Sequence, residues 1–257
     1  MSDVTIELHR RKGDYGIDGD FEKISAGWVL TGVAAILVAL VVATVWTLAA
    51  GLLITGVIIG VLTLAFMFFQ GTYLWTTLIG KFRVWARILG NLRLRGDEQV
   101  LDLGCGRGAL LLTVAQLLPR GRAVGIDLWT ADQSGNSPEA TLRNADLEGV
   151  ADRIELHTGD ITTRLPFADN TFDLILSSLV VHNIPSAEGR RAAIDEAVRV
   201  LRPGGRIVIA DLLHTARYAT RLQELGLTDI HRRNLGPHMW WGSPLLATRL
   251  VTATKPT

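Results

Sequence analysis

Three glycines at alternate positions, Gly104, Gly106 and Gly108, follow directly on an apolar run, Val100 to Leu103, that carries one acid, Asp102. Immediately after them, apolar residues recur at helical spacing: Leu110, Leu111, Val114, Leu117 and Leu118. The stretch therefore reads as strand, glycine loop and helix. Residues without a Cβ let the backbone turn sharply there and come within contact distance of a bound nucleotide-like cofactor. Cys105 sits in this loop as a small residue that fits. It is the only cysteine of the chain, so neither an intramolecular disulfide nor a cysteine metal cluster can form, and the domain suits a reducing compartment.

In an open parallel sheet the ligand lies outside the carboxyl ends of the strands, so residues at those ends are the candidates for a site. Asp127, with Leu128 and Trp129, ends a second strand about two dozen residues after the glycines, where a carboxylate can accept both hydroxyls of a ribose. Asp160 and Ile161 follow a third strand, and an acid there can accept the exocyclic amine of an adenine. A fourth strand ends in Ser177 and leads to His182 and Asn183; a fifth ends in Asp211, with His214 close behind. His182 is the first candidate for a general base and His214 the second. His157 lies within a strand pattern, and His231 and His238 have no ligand spacing, so no metal site is expected. Trp129, Trp240 and Trp241 fall in loops on the same edge, where aromatic rings can wall an apolar acceptor pocket or dip into a headgroup layer. Taken alone, Gly104 to Ala109 matches both the GxGxG of adenosylmethionine-binding loops and the GxGxxA of dinucleotide-binding ones.

The elements that must hold these residues are short apolar strands alternating with longer amphipathic helices, the signature of a parallel sheet covered by helices. Strands are expected near Gln99 to Leu103, Ala123 to Asp127, Ile154 to Thr158, Phe172 to Ser177, Arg206 to Asp211, Thr228 to Asn234 and Ala247 to Thr254. A helix begins at Ser137-Pro138-Glu139 with cap, N1 proline and early acid in order. A second, Ala187 to Leu201, stops at the Arg202-Pro203-Gly204-Gly205 turn, and a third follows Asp211 as far as about Leu225. No helix-length pattern separates the last two strands, which should pair antiparallel. The expectation is an α/β, Rossmann-like, seven-stranded and mostly parallel sheet with an antiparallel last strand, over residues 97–257.

The remaining third of the chain is of another kind. Between Lys23 and Lys81 there is no charged residue, room for two apolar spans of about 20 to 25 residues each. A transmembrane hairpin is expected within residues 24–80, its spans at 28–50 and 52–75, with Trp28 and Trp75 at one interface and Trp46 near the other. Arg10, Arg11, Lys12 and Lys23 precede it and Lys81, Arg83, Arg87, Arg93 and Arg95 follow, with none in its turn, so both ends and the domain belong on the cytoplasmic side of an integral membrane protein. Gly56 and Gly60 form a GxxxG that serves equally packing within the hairpin or a homodimer of two hairpins. Residues 81–96 alternate cations with Phe82, Trp85, Leu89 and Leu92; they either lie flat on an anionic bilayer or simply continue the helix toward the domain. Residues 1–23 read as a polar, solvated arm. The acids from Asp14 to Asp20 have calcium-loop spacing, but Ser25 stands where the bidentate Glu is required. A net charge of +1, with no basic stripe interleaved with aromatics, leaves nucleic acid out as a partner.

The runs VLDLGCGRG, GIDLW, TGD, LPFADNTFDLILSS and EAVRVLRPGGRIVIAD together resemble class I S-adenosylmethionine-dependent methyltransferases, in particular the ubiquinone/menaquinone-methyltransferase-like (methyltransferase type 11) group. The resemblance spans Gln99 to about Asp211 and does not reach the hairpin. It implies S-adenosyl-L-methionine as cofactor, with Asp102, Gly104, Cys105 and Gly106 at its methionine portion, Asp127 and Leu128 at the ribose, Asp160 and Ile161 at the adenine, and Ser177 as the floor near the sulfonium. Trp129, Asn183, Trp240 and Trp241 would then border the acceptor. A sulfonium methyl is already electrophilic, so the protein has mainly to hold a nucleophile in line and exclude water. The expected function is a membrane-anchored methyltransferase acting on a small lipophilic or amphipathic thiol, phenol, quinol or amine. A non-catalytic S-adenosylmethionine-binding sensor or scaffold is the alternative, and an NAD-dependent oxidoreductase a distant third.

Overall fold

The computed structural model describes residue 8 and residues 11–19, 23–130 and 132–257; the rest of the expected N-terminal arm, Arg10 and Asp20 included, lies outside the described residues. Seven strands form one sheet in the order β3-β2-β1-β4-β5-β7-β6: β1 Gln99–Leu103, β2 Arg122–Asp127, β3 Ile154–Thr158, β4 Phe172–Ser178, β5 Leu201–Asp211, β6 Thr228–Asn234 and β7 Arg249–Thr254. The first five pair parallel, and β7 runs antiparallel to both β5 and β6. The expected sheet is present in number, direction and order of chemistry. One strand differs in extent: β5 starts at Leu201, taking in the Pro203-Gly204 turn that was expected to precede it.

Two helices, α1 Ala26–Ala49 and α2 Leu53–Trp75, are long and apolar enough to cross a membrane. Gly56 faces Leu48 and Thr47 of α1 so closely that a Cβ would meet Leu48 at 2.5 Å, and a Cβ at Gly60 would touch Thr44 at 3.4 Å. Gly56 and Gly60 thus serve the hairpin's own packing, the first of the two uses expected of the GxxxG. Thr44 and Thr63 add a side-chain hydrogen bond of 3.3 Å across the same seam.

The second helix does not end where the apolar run ends. It passes through one π-helical turn, Thr76–Gly80, into α3, Lys81–Asn91. Phe82, Val84, Trp85, Ile88 and Leu89 of α3 are buried in the layer that covers one face of the sheet, together with α4 Leu111–Ala115 and residues Leu174, Leu176, Val208 and Leu250. Of the two readings of residues 81–96, the structure therefore takes the continued helix; its apolar stripe meets protein while Arg83 and Arg87 look outward. The other face of the sheet is covered by α6 Ala187–Val200 and α7 Thr215–Glu224. The helix expected at Ser137 is α5, Pro138–Glu148, and Ser137 accepts the Ala140 N–H as its cap.

The solvated arm is a second correction. Residues 11–19 lie on the domain: Tyr15 is buried against Phe82 and donates its hydroxyl to Glu148 at 2.8 Å, the Asp14 N–H goes to Asn144 at 2.9 Å, and Asp14 pairs with Arg107 at 2.8 Å. Of the acids that mimic a calcium loop, Asp14 is thus paired with Arg107, and Asp18 is paired with Lys81.

The π turn is the place where hairpin and sheet domain lock together. Thr76 donates to the Trp240 carbonyl at 2.7 Å, Thr77 to Asp18 at 2.6 Å, and Gly80 passes so close to the His238 carbonyl that a Cβ would lie 2.0 Å from it. Gly80→Ala should force this junction open and cost about 1–3 kcal/mol, as overpacking does. In detergent its melting temperature is expected several degrees below that of the parent; an unchanged melting curve would show that the helix is not seated on this turn.

Candidate active site

The glycine loop leaves β1 with all three glycines in the left-handed region, at φ of 72°, 50° and 87° for Gly104, Gly106 and Gly108. Space is as restrictive as conformation. A Cβ on Gly104 would stand 2.3 Å from Val180, and one on Gly106 would stand 2.6 Å from the Gln133 side-chain oxygen. The loop is pinned to β2 by Gly104 N–H donating to the Ile126 carbonyl at 2.8 Å and by Gly106 N–H donating to the Asp127 carboxylate at 2.8 Å. The second oxygen of Asp127 accepts the Trp129 N–H at 2.6 Å.

Above the loop opens a cavity of about 790 Å³. Of the residues singled out in the sequence, it brings together Asp102, Gly104, Cys105, Gly106, Asp127, Leu128, Asp160, Ile161, His182, Asn183 and Trp241. Four others are placed elsewhere. Ser177 is fully buried and donates to the Leu103 carbonyl at 3.1 Å. Strand alternation gives the cavity to its neighbour Ser178, whose hydroxyl accepts Trp85 Nε1–H at 2.9 Å. Trp129 turns away at φ 59° and donates its ring N–H to Thr158. Trp240 contributes only its carbonyl, to Thr76. His214, also left-handed at φ 59°, heads α7 outside the cavity; burial and then the nearby Arg190 lower its pKa.

His182 has a built environment. Its Nδ1 lies 2.5 Å from Asp211 Oδ1, and Asp211, wholly buried, also accepts the backbone N–H groups of His182 and Leu212 and the Tyr218 hydroxyl. A carboxylate so placed fixes the proton on Nδ1 and leaves Nε2 as the acceptor. Burial, with the adjacent Asp211 charge, pushes the Tyr218 phenol up, so it stays a donor to that carboxylate.

At the opposite end of the site Asp102 is buried with neither carboxylate oxygen hydrogen-bonded. Burial, and then the neighbouring Asp127 charge, raises its pKa well above the ordinary carboxylate value. The same burial, with Asp102 second, raises the Cys105 thiol, which is therefore an unreactive packing group. An orphaned buried acid on a cavity wall calls for a cationic ligand group, and the ammonium of a methionine moiety fits it.

Several wall residues carried no signal in the sequence. Lys81 reaches across from α3 to Asp18 of the N-terminal arm at 2.6 Å, and Gln133 donates to the same carboxylate at 3.2 Å. Tyr73 donates its hydroxyl to the Asp18 carbonyl. With Phe69, Tyr73 brings the second apolar helix itself into the cavity wall, which Phe82, Trp85 and Leu246 also line. A run such as Phe69 to Tyr73 reads as membrane span, and only the fold reveals that one side of it borders a site.

Comparison with known proteins places this geometry. A protein-family model described as "Methyltransferase domain" matches residues 101–209. Curated relatives include the arsenite methyltransferase of Halobacterium salinarum, 34% identical over 49% of this chain and 30% of that protein. The demethylmenaquinone methyltransferases of Lactiplantibacillus plantarum and Beutenbergia cavernae are 33% and 38% identical, over 51% and 52% of this chain and 52% and 49% of theirs. The chain thus spans about half the length, or less, of the curated relatives it matches. Solved structures with the same fold include a SAM-dependent methyltransferase from Aquifex aeolicus, with a TM-score of 0.51 at 18% identity, covering 66% of this chain and 88% of that one. A geranyl diphosphate methyltransferase in complex with SAM has a TM-score of 0.55 at 16% identity, covering 70% and 88%.

Asp102 generates a pH signature. The free protein holds a proton there to higher pH than an ordinary acid would, and an ammonium bound against it favours the ionised form and expels that proton. Affinity for S-adenosylmethionine should therefore rise with pH toward the raised value and level off above it. Calorimetry in two buffers of different ionisation enthalpy reads the released proton. Asp102→Asn should abolish both effects and weaken binding by at least about tenfold, the scale of a lost charged hydrogen bond. Because a raised carboxyl pKa costs the fold stability as pH rises, this variant should melt no lower than the parent at pH 8, which separates lost binding from lost folding.

Proposed function

We propose, for a chain whose residues 101–209 are a methyltransferase domain of the class I, S-adenosylmethionine-dependent kind, that it methylates a small lipophilic or amphipathic acceptor which reaches the site from a bilayer crossed by α1 and α2. One observation carries this reading: a single cavity runs from the glycine loop to Phe69 and Tyr73 of an apolar helix long enough to span a membrane. An apolar acceptor is concentrated in the bilayer by its own transfer free energy, and a wall built from the span spares it a passage through water. Relatives named for arsenite and for demethylmenaquinone share the domain, so the domain does not set the acceptor; the apolar wall favours the quinol-like class over an inorganic ion. The charge of the flanking Lys and Arg residues supports a cytoplasmic site.

In this reading Asp102 takes the ammonium, the loop from Gly104 to Gly106 the methionine portion, Asp127 with Leu128 the ribose, and Asp160 with Ile161 the adenine. When bound, S-adenosylmethionine supplies an electrophilic methyl group. Everything else falls to the chain's own side chains. Trp85, Trp241 and Leu246 shed water from the acceptor, and Ser178 and Asn183 offer it hydrogen bonds near the end of β4. His182 Nε2, held by Asp211, receives the proton of a phenol, quinol or thiol, so that electron density is available at the attacking atom. The proton then leaves on the imidazole, whose positive charge the Asp211 carboxylate balances.

The experiment is methyl transfer by the full chain in vesicles from labelled S-adenosylmethionine to a long-chain quinol or phenol, against a short-chain, water-soluble analogue. Transfer to the bilayer-borne acceptor is expected to be the faster. His182→Ala should lower kcat by roughly 10²–10⁴-fold, the usual span for a general base, while the Kd for S-adenosylmethionine changes by less than about threefold. Unchanged turnover would remove His182 from the chemistry, and no turnover of any acceptor, with cofactor binding intact, would favour the sensor reading.

A further inference from the structure

From Met239 to Thr248 the chain carries no charged residue, although this stretch connects two strands at an open sheet edge. The turn does not stand out in solvent alone. Gly242, at φ 90°, lies so close to Phe69 that a Cβ would meet the ring at 2.4 Å, and Trp241 packs edge-on against Tyr73 with ring centroids 5.9 Å apart. Phe69 is six positions before Trp75, the last residue of α2, which puts the turn roughly 9 Å back along the helix from that end. At that depth its outer side is apolar, with Leu245 90% and Leu246 41% exposed. Part of its polar backbone is met internally: Trp241 N–H donates to the Leu246 carbonyl, Leu246 N–H to the Ser243 carbonyl, and the Trp241 ring N–H to Thr248. Pro244 has no N–H to satisfy. Each such internal bond lowers the cost of placing backbone in hydrocarbon.

We propose that the turn from Trp240 to Leu246 is inserted in the bilayer beside α2 and that, with Phe69 and Tyr73, it frames a lateral gate through which a lipid-dissolved acceptor enters the cavity. The proposal rests on the reading of α1 and α2 as membrane spans. Phe69, Tyr73, Trp241 and Leu246 all line the cavity, so a molecule passing between span and turn arrives in the site without crossing the headgroup layer into water. The carbons of Leu245, costly against water, then rest in acyl chains.

The test places a small polarity-sensitive fluorophore at Leu245→Cys, at Phe68→Cys on the exposed side of α2, and at Arg164→Cys, exposed after β3 at the opposite edge of the sheet, in the full chain; the native Cys105 is buried and stays unlabelled. In phosphatidylcholine and phosphatidylglycerol vesicles containing nitroxide-labelled acyl chains, the labels at 245 and 68 should be quenched and the label at 164 should not. Quenching at 68 with position 245 at the level of 164 overturns the inserted turn and keeps the spans; no quenching at 68 overturns both. As a second readout, Leu245→Asp should lower kcat/KM for the bilayer-borne acceptor by roughly tenfold and leave turnover of the water-soluble analogue unchanged. Equal loss on both acceptors would overturn the gate.

Discussion

One unbroken helical path, from Leu53 through the π turn to Asn91, is the constraint on which the rest of the structure depends. Its first part belongs to the apolar hairpin and its last to the core of the sheet domain, because Phe82, Trp85, Ile88 and Leu89 are packed among sheet residues. A flexible tether would leave the domain free to tumble. A shared helix gives hairpin and sheet one common frame, and the partners of Thr76, Thr77 and Gly80 fix its roll. Only within such a frame can one cavity be walled by the glycine loop and an apolar helix together.

That cavity divides its chemistry by position. Near β1 and β2 it is acidic, with Asp102, Asp127 and Asp132 close together, and burial, then the Asp127 charge, raises the Asp132 pKa as well. Such crowding of acids costs stability in the free protein and is relieved by a ligand that brings positive charge. Toward the helices Phe69, Phe82, Trp85 and Trp241 make the wall apolar. Between the two stands His182 on its carboxylate. The Lys81–Asp18 pair ties the N-terminal arm over the same opening, so residues from both ends of the chain and from its middle close a single site.

The sheet and much of the cavity wall at the ends of β1, β2 and β3 were legible in the sequence because they rest on local rules. Period-two strands, the three glycines and an acid at the end of each strand are visible within short windows. Where those rules were applied one residue out, the error was a matter of alternation: Ser177 and Ser178 are chemically the same, and only the register of β4 against β1 says which one faces the Leu103 carbonyl. Trp129 and Trp240 misled because a loop aromatic carries no directional signal, and the left-handed backbone at Trp129 sends its ring off the site. The arm and the span contributed most of what was missed. Asp18 and Lys81 are 63 positions apart, and neither window hints at the other. Phe69 and Tyr73 look like any other aromatics of an apolar helix until the terminal hairpin is folded against them.

The π turn itself sets a phase. One wide turn admits an extra residue, and at 3.6 residues per turn an extra residue rotates every later side chain by about 100° around the axis. Upstream of Thr76 the exposed face of the helix is the greasy one; downstream, the greasy face points into the sheet domain and Arg83 and Arg87 look out. A single continuous rod thus changes surroundings without being broken: its apolar stripe, exposed along the hairpin, is covered by protein beyond the turn. One irregular turn, its register once chosen, thereby decides which edge of the sheet domain faces along the apolar hairpin.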